Sequence, residues 1–451
     1  LKSVRWVVCV LVRRVLAAFH EWLADDGGKA LLVTGSRQVG KSFLINTFAR
    51  DNFSRVVAFD LLEQPDARDS FNQATNAADL MLRVSLASDV ELVPGQTVVI
   101  FDEVQECPAV VSFIKFLVQK YDYRFILSGS LLGTRLRAIP SLPIGYVTEL
   151  KMYPLDFQEF CQACGVSAEF FDVLQQCLDD LRPVQDFIYD RFIDLWHRYL
   201  LVGGMPDAVA HFVETGDMDV VRRIQGNIRQ LYAQDIVKYA PDELRLILAD
   251  IFQLIPAQLS RQNRRFQISD LRDVKRFTQV DQHFLWLEAA GVALPTYNVS
   301  APIFPLLAGV KRNLFKLYSS DVGLLNSAFP KTMLSGILQP NTAINLGGIY
   351  ENAVAQELHS KGYALRYFSS KKIGELDFLL EDASGQITAL EVKSGVSYRT
   401  HAALDKALAE PKYTIDRAFV LAETGRGARP NIETQGQVTY LPIFFAALLG
   451  S

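Results

Sequence analysis

The chain has 451 residues, 49% hydrophobic and 21% charged, with a net charge of −4 and a pI of about 6.0. That length exceeds one typical core, so roughly two to four globular domains are expected. The acidic balance excludes a surface coated in basic charge for indiscriminate nucleic-acid binding, but leaves room for a local basic patch. The first stretch, "VRWVVCVLVRRVLAAF" (4–19), is apolar yet broken by Arg5, Arg13 and Arg14. It holds no run of about 18 uncharged apolar residues, so no membrane span is expected, and no clear signal-peptide cleavage site. A helix packed on the first domain is the reading. Because the sequence begins at Leu1, its true start is left open. Cys9, Cys107, Cys161, Cys164 and Cys177 are an odd set of five, which argues against a disulfide framework and for a reducing cytoplasm. Cys161 and Cys164 form a CxxC without the second ligand pair that zinc needs, so a structural role is expected.

"KALLVT" (29–34) reads as a buried strand feeding a loop, and "SFLINTFAR" has helical spacing. Between them Gly35, Ser36, Arg37, Gln38, Val39, Gly40, Lys41 and Ser42 match G-x-x-x-x-G-K-[ST]. Glycines there let backbone N–H groups turn toward phosphate oxygens, and the following helix start adds partial positive charge. Lys41 is expected to reach the β- and γ-phosphates and Ser42 to hold Mg²⁺. "TVVIFDEVQ" (97–105) is a second buried strand, ending in Asp102 for the Mg²⁺ shell and Glu103 to orient or deprotonate the attacking water. "YRFILSGS" (123–130) is a third strand; Ser128 and Ser130 are candidates for sensing the γ-phosphate, an ordinary serine turn being the alternative. No guanine-reading N-K-x-D follows, so ATP is preferred over GTP. Arg135 and Arg137 are candidate arginine fingers acting on a second copy, which puts a homo-oligomer among the expected partners. Strands alternating with helices predict a parallel sheet covered on both faces.

"KMYPLDFQEF" (151–160) marks a boundary, with a helix starting at Asp156. Residues 161–242 read as a helical linker or lid, broken at Gly203–Gly204. In 243–335, "GVALPTYNV" followed by "NLFKLYSSDVGLL" reads as a helix and then a hairpin, a winged helix-turn-helix. Arg261, Arg264, Arg265, Arg272, Lys275 and Arg276 face only Asp270 and Asp273 nearby in sequence, and Lys311, Arg312 and Lys316 follow. DNA is the expected partner of this basic stretch, a charged spacer face being the alternative.

The segment 340–451 opens with a helix, "IYENAVAQELHSKG", and continues as strands at 363–368, 375–380, 387–393 and 417–421. Glu391 and Lys393 are two apart, so they project to one face, and a hairpin brings Asp377 near them. Glu351 on the helix, Asp377, and E-x-K on the next strand follow the order of PD-(D/E)xK nucleases. Asp377 and Glu391 would ligate Mg²⁺ through hard oxygens, Lys393 would stabilise hydroxide or developing charge, and Glu351 would be an additional ligand. The run "ITALEVK" is apolar up to Glu391, and buried unpaired charge is costly, which favours a site over decoration.

"LLVTGSRQVGKS", "VVIFDEVQECP", "FILSGSLLG", "MYPLDFQEF", "YLLVGGMPDAV", "LYAQDIVKYA", "FKLYSSDVGLL", "GGIYENAVAQEL" and "ELDFLLE…LEVKSG" together resemble bacterial and archaeal AAA-like ATPases with a C-terminal domain of unknown function. The resemblance runs over nearly the whole chain. It implies an α/β multidomain fold: an AAA-like ATPase domain (1–160), a helical lid (161–242), a winged-helix region (243–335) and a restriction-endonuclease-like end (340–451). It implies nucleotide roles for Lys41, Ser42, Asp102 and Glu103, and nuclease-like positions for Glu351, Asp377, Glu391 and Lys393. Many relatives carry an Arg where "PIGYVTEL" has Tyr146. The expected protein is a cytoplasmic, ATP- and Mg²⁺-dependent ATPase acting on DNA with a nuclease-like end. The alternative is a non-cleaving ATP-driven switch that binds DNA or an unidentified protein partner.

Overall fold

The computed structural model describes residues 11–25, 27–129, 145–272, 274–338, 346–424 and 429–450. Cys9, Ser130, Arg135, Arg137 and Asp273 from the readings above lie outside them. The chain divides into two compact units, one built from Arg13–Tyr153 with Ala289–Gly291, the other from Pro154–Glu288 and Val292–Ser451.

In the Arg13–Tyr153 unit, strands β1 (Ala30–Thr34), β2 (Arg55–Asp60), β3 (Thr97–Asp102), β4 (Arg124–Gly129) and β5 (Val147–Lys151) form one sheet in the order β2-β3-β4-β1-β5. Every neighbouring pair is parallel. Such a sheet is covered on both faces, which is why β1 and most of β3 and β4 read as unbroken apolar runs. β2 and β5 are the edges and less buried; "RVVAFD" holds an apolar run as long as that of β1, whereas "VTELK" carries no such signal. Helix Leu16–Ala24 takes in the end of the apolar stretch 4–19, whose residues 4–10 lie outside the described residues. Its Phe19 and Trp22 rings pack on Phe48 of helix Lys41–Asn52, with centroids 5.1 and 6.5 Å away. Arg13 lies ahead of that helix, its guanidinium donating to the carbonyls of Val39 (2.9 Å) and Tyr153 (2.6 Å).

The larger unit opens with helices Phe157–Ala163, Glu169–Asp179, Asp186–Val202, Pro206–Thr215 and Met218–Tyr239. Asp156 caps the first of them, accepting from the Glu159 N–H while Glu159 reaches back to the Asp156 N–H. Cys161 on this helix is buried, and burial holds its thiol above the usual range. Helix Arg245–Leu259, helix Asp281–Ala289 and the antiparallel pair β6 (Ala293–Val299) and β7 (Val310–Ser319) follow. A helix thus precedes the hairpin, but "GVALPTYNV", read as the helix, is strand β6 of the hairpin itself, and the helix is the segment before it. The far edge of β6, however, pairs in parallel with β8 (Arg366–Ser370), so residues on both sides of 335 share one sheet. With β9 (Gly374–Glu381), β10 (Ile387–Ser394), β11 (Arg417–Glu423), β12 (Glu433–Gln435) and β13 (Val438–Pro442) it has eight strands, ordered β12-β13-β11-β10-β9-β8-β6-β7. That pairing satisfies the backbone groups a free hairpin edge would expose. Helix Gly347–Ser360 is buried from Gly348 to Leu358, as a helix enclosed on all sides must be.

Candidate nucleotide site and a second charged cluster

Because all five strands of the smaller unit run parallel, their C-terminal ends share one edge, where ligands of open α/β sheets bind. The loop after β1, the end of β3 and the end of β4 meet there. β4 lies between β1 and β3, and the register Phe101↔Leu127 sets Asp102 level with Ser128. The Asp102 carboxylate accepts from the Ser42 hydroxyl, the Ser128 hydroxyl and the Glu103 N–H, the last at 2.9 Å. Ser128 is thus directed at Asp102. Tyr146 is at the other end: its carbonyl accepts from Ala30 at the start of β1, and its hydroxyl accepts from Gln119 at 3.0 Å.

The loop itself is conformationally special. Gly35 has φ +146° and Gly40 φ +88°, both in the region that favours glycine. A Cβ on Gly35 would stand 2.3 Å from the Met152 carbonyl oxygen. Lys41 is buried, and its ammonium donates to the Gly35 and Ser36 carbonyls at 2.9 Å each. Burial pulls its pKa down to about 8, with Glu103 and Asp102 pulling the other way. Glu103 adopts φ +52°, uncommon for a residue with a side chain, and Gln105 donates to its carboxylate. Strain of this kind, on the order of 1 kcal/mol, persists where the surroundings impose it. These groups fit a magnesium nucleotide. The Ser42 hydroxyl and an Asp102 oxygen converge as hard donors, and the Lys41 ammonium holds two carbonyls that phosphate oxygens could replace.

The second cluster lies in the larger unit. The Glu351, Asp377 and Glu391 carboxylates are all buried. Strand pairing does deliver Asp377 to β10: its Oδ2 accepts from the Val392 N–H at 2.9 Å. Glu391 Oε2 and Lys393 Nζ pair at 2.9 Å. The centre is occupied by a side chain read in the sequence as part of the basic stretch. Lys316, 0% exposed, places its Nζ 2.8 Å from Glu375 Oε1, 3.2 Å from Glu351 Oε2 and 3.4 Å from Asp377 Oδ1. Arg264 pairs with the other Glu351 oxygen, and the Tyr318 hydroxyl donates to Glu351 at 2.9 Å. Among the described residues no three His, Cys, Asp or Glu side chains form a group that could hold a metal ion.

The electrostatics agree with an internally satisfied cluster. Burial alone would lower the Lys316 pKa, but Glu351, Tyr318, Asp377 and Glu375 outweigh it and keep the ammonium charged. Burial would raise Asp377, yet Lys316 and the Val392 N–H hold it below the usual range. Glu351 is raised by burial and by Asp377. Glu391 is pushed up to about 8 by burial and Asp377, against the pull of Lys393. A divalent ion there would first have to displace the Lys316 ammonium, which already pairs with Glu351, Glu375 and Asp377. The residues therefore do not fit the Mg²⁺ that the nuclease resemblance implies at Asp377 and Glu391.

The basic stretch separates into two sets. Arg261 pairs with Asp270 at 2.8 Å, and Arg264 and Lys316 enter the cluster. Arg272, Lys275, Arg276, Lys311 and Arg312 are exposed. Phe277 and Phe315, with ring centroids 5.9 Å apart, tie the first part of this set to β7. A third group went unread in the sequence. Glu357 accepts from the Phe157 N–H and the Tyr199 hydroxyl, each at 2.8 Å. Asp321 accepts from Gly204 at 2.6 Å and from Leu324 at 2.8 Å, and Gln356 donates to Tyr199 and Asp321.

Sheet order, phosphate-type loop and the Ser42–Asp102 contact fit an AAA-like P-loop fold in the smaller unit. Residues 27–161 match the AAA domain family AAA_14. Residues 193–335 match a domain of unknown function, DUF8612, and residues 346–444 match another, DUF4143. No curated protein matches the chain. A Walker-type ATPase of Pyrococcus abyssi is similar over 71% of this chain and 96% of its own, at 14% identity and a TM-score of 0.44. The Holliday-junction branch-migration motor RuvB of Thermotoga maritima is similar over 68% of this chain and 92% of its own, at 11% identity and a TM-score of 0.30. Both likenesses are partial. Among the described residues no helix is long and apolar enough to cross a membrane.

Proposed function

We propose that the chain hydrolyses ATP in its smaller unit and uses the larger one to hold DNA without cutting it. The observation that carries the ATPase reading is the convergence of Ser42 and Ser128 on Asp102 beside the buried Lys41. Lys41 would exchange its two carbonyl partners for phosphate oxygens. Ser42 and Asp102 would hold Mg²⁺, which when bound neutralises charge on the β- and γ-phosphates. Glu103, released from Gln105, would take the proton of the attacking water. Hydrolysis would return Lys41 to Gly35 and Ser36, giving the loop two states set by the nucleotide.

The DNA reading is supported by the exposed cations Arg272, Lys275, Arg276, Lys311 and Arg312 on a region with the helix-then-hairpin order of a winged helix. Helix Asp281–Ala289 carries Asp281 and Glu288, so phosphate contact outweighs base reading in this proposal. Duplex binding followed by fluorescence anisotropy over a salt series tests it. Replacing Arg276 and Arg312 together by Ala should weaken binding for every sequence and reduce the salt slope by about 2. Unchanged affinity and slope would count against it.

The rival reading, a Mg²⁺-dependent nuclease, rests on the sequence order Glu351, Asp377, Glu391, Lys393, and the ion pairs of the cluster weigh against it. Incubating circular DNA with ATP and Mg²⁺ separates the two. Cutting that disappears in Asp377→Ala would establish the nuclease.

A further inference from the structure

We infer that Lys316 is the resident cation of the carboxylate cluster, its ammonium taking the place a divalent metal ion would occupy among Glu351, Glu375 and Asp377. The inference rests on reading this part of the larger unit as a nuclease-like scaffold. Lys316 approaches the three carboxylates to 3.2, 2.8 and 3.4 Å. Hard oxygens gathered around one point are what a divalent cation requires, and here a protein side chain already supplies the positive charge. The ammonium is wholly buried and lies 5.3 Å from the Tyr367 ring centroid, a cation–π contact that adds to its hold. Arg264 closes the remaining Glu351 oxygen.

The cations and the carboxylates come from different parts of the chain. Lys316 lies on β7 and Arg264 precedes helix Asp281–Ala289, both inside the 193–335 match, whereas Glu351, Glu375 and Asp377 lie inside the 346–444 match. One region thus supplies the counter-ion of the other. Metal-assisted hydrolysis is closed at this point, and the pairing of β6 with β8 holds the plug in register.

The test is a titration of nucleotide-free protein with Mn²⁺, followed by the electron paramagnetic resonance signal of the free ion. Wild type should withdraw no stoichiometric Mn²⁺. Lys316→Met, which removes the charge and keeps the bulk, should withdraw about one ion per chain, and adding Asp377→Asn should abolish that gain. If Lys316→Met folds poorly, Mn²⁺ should raise its melting temperature, while Lys316→Arg should fold without metal and bind none. Stoichiometric Mn²⁺ in wild type that Asp377→Asn removes would overturn the inference. So would a Lys316→Met that neither binds Mn²⁺ nor is stabilised by it. None of these readouts involves DNA, so a failure of the DNA proposal and a failure of this one remain distinguishable.

Discussion

At the scale of single residues, the nucleotide site is a set of small commitments around Asp102. Three donors hold its carboxylate, so its direction is set before any ligand arrives. Preorganisation of this kind is where most electrostatic stabilisation in enzymes resides. Removing one donor should loosen it without unfolding the sheet. Ser128→Ala is therefore expected to lower ATP turnover by about tenfold, a cost of about 1.4 kcal/mol in transition-state stabilisation, with melting temperature nearly unchanged. Steady-state hydrolysis alongside thermal unfolding checks both halves. Gly35 should behave in the opposite way. A side chain there meets the Met152 carbonyl in a backbone conformation that resists it. Gly35→Ala should cost at least about 2 kcal/mol of stability, read by urea unfolding.

At the scale of elements, the packing of the larger unit depends on buried acids the sequence did not reveal. Gly204 lets the turn after helix Asp186–Val202 approach Leu155, whose carbonyl oxygen would stand 2.0 Å from any Cβ there. Asp321, which caps helix Val322–Ser327 just after β7, and Glu357, on helix Gly347–Ser360, fasten this junction. Burial lifts Asp321 to about 6 and, with Asp156 adding to it, Glu357 to about 8, from ordinary values of 3.8 and 4.5. The folded chain therefore retains protons that the unfolded chain has released between about pH 4 and pH 8. The stability these groups contribute is complete below the unfolded values and is lost as pH rises through the folded ones. Glu391, also lifted to about 8, acts in the same sense, so urea unfolding should show stability falling by a few kcal/mol between pH 5 and pH 8, and Glu357→Gln should flatten part of the fall. A pH-independent wild type would contradict the assignment.

At the scale of the whole molecule, legibility tracked locality. The P-loop, the acids ending β3, the capped helix at Asp156 and the β9–β10 hairpin are written in contiguous residues with a period or a motif. Their local geometry could be read because neighbours in sequence are neighbours in space. The plug could not be read that way. Arg264 meets Glu351 across 87 positions and Lys316 meets Asp377 across 61, so both look like surface cations until the strands are paired. The same holds for β5, whose "VTELK" lacks an apolar run, and for Glu357, which Tyr199 reaches across 158 positions. Charge is legible in a sequence, but which charge neutralises which is decided by topology.

The central claim is that the Lys41, Ser42, Asp102 and Glu103 constellation hydrolyses ATP, and it is tested most directly by phosphate release from Mg²⁺-ATP. Wild type should turn over, Lys41→Ala should lose both nucleotide binding and turnover, and Glu103→Gln should bind ATP yet release phosphate at least about a hundredfold more slowly. A wild type that binds no ATP, or a Glu103→Gln variant that hydrolyses it at the wild-type rate, would contradict the account.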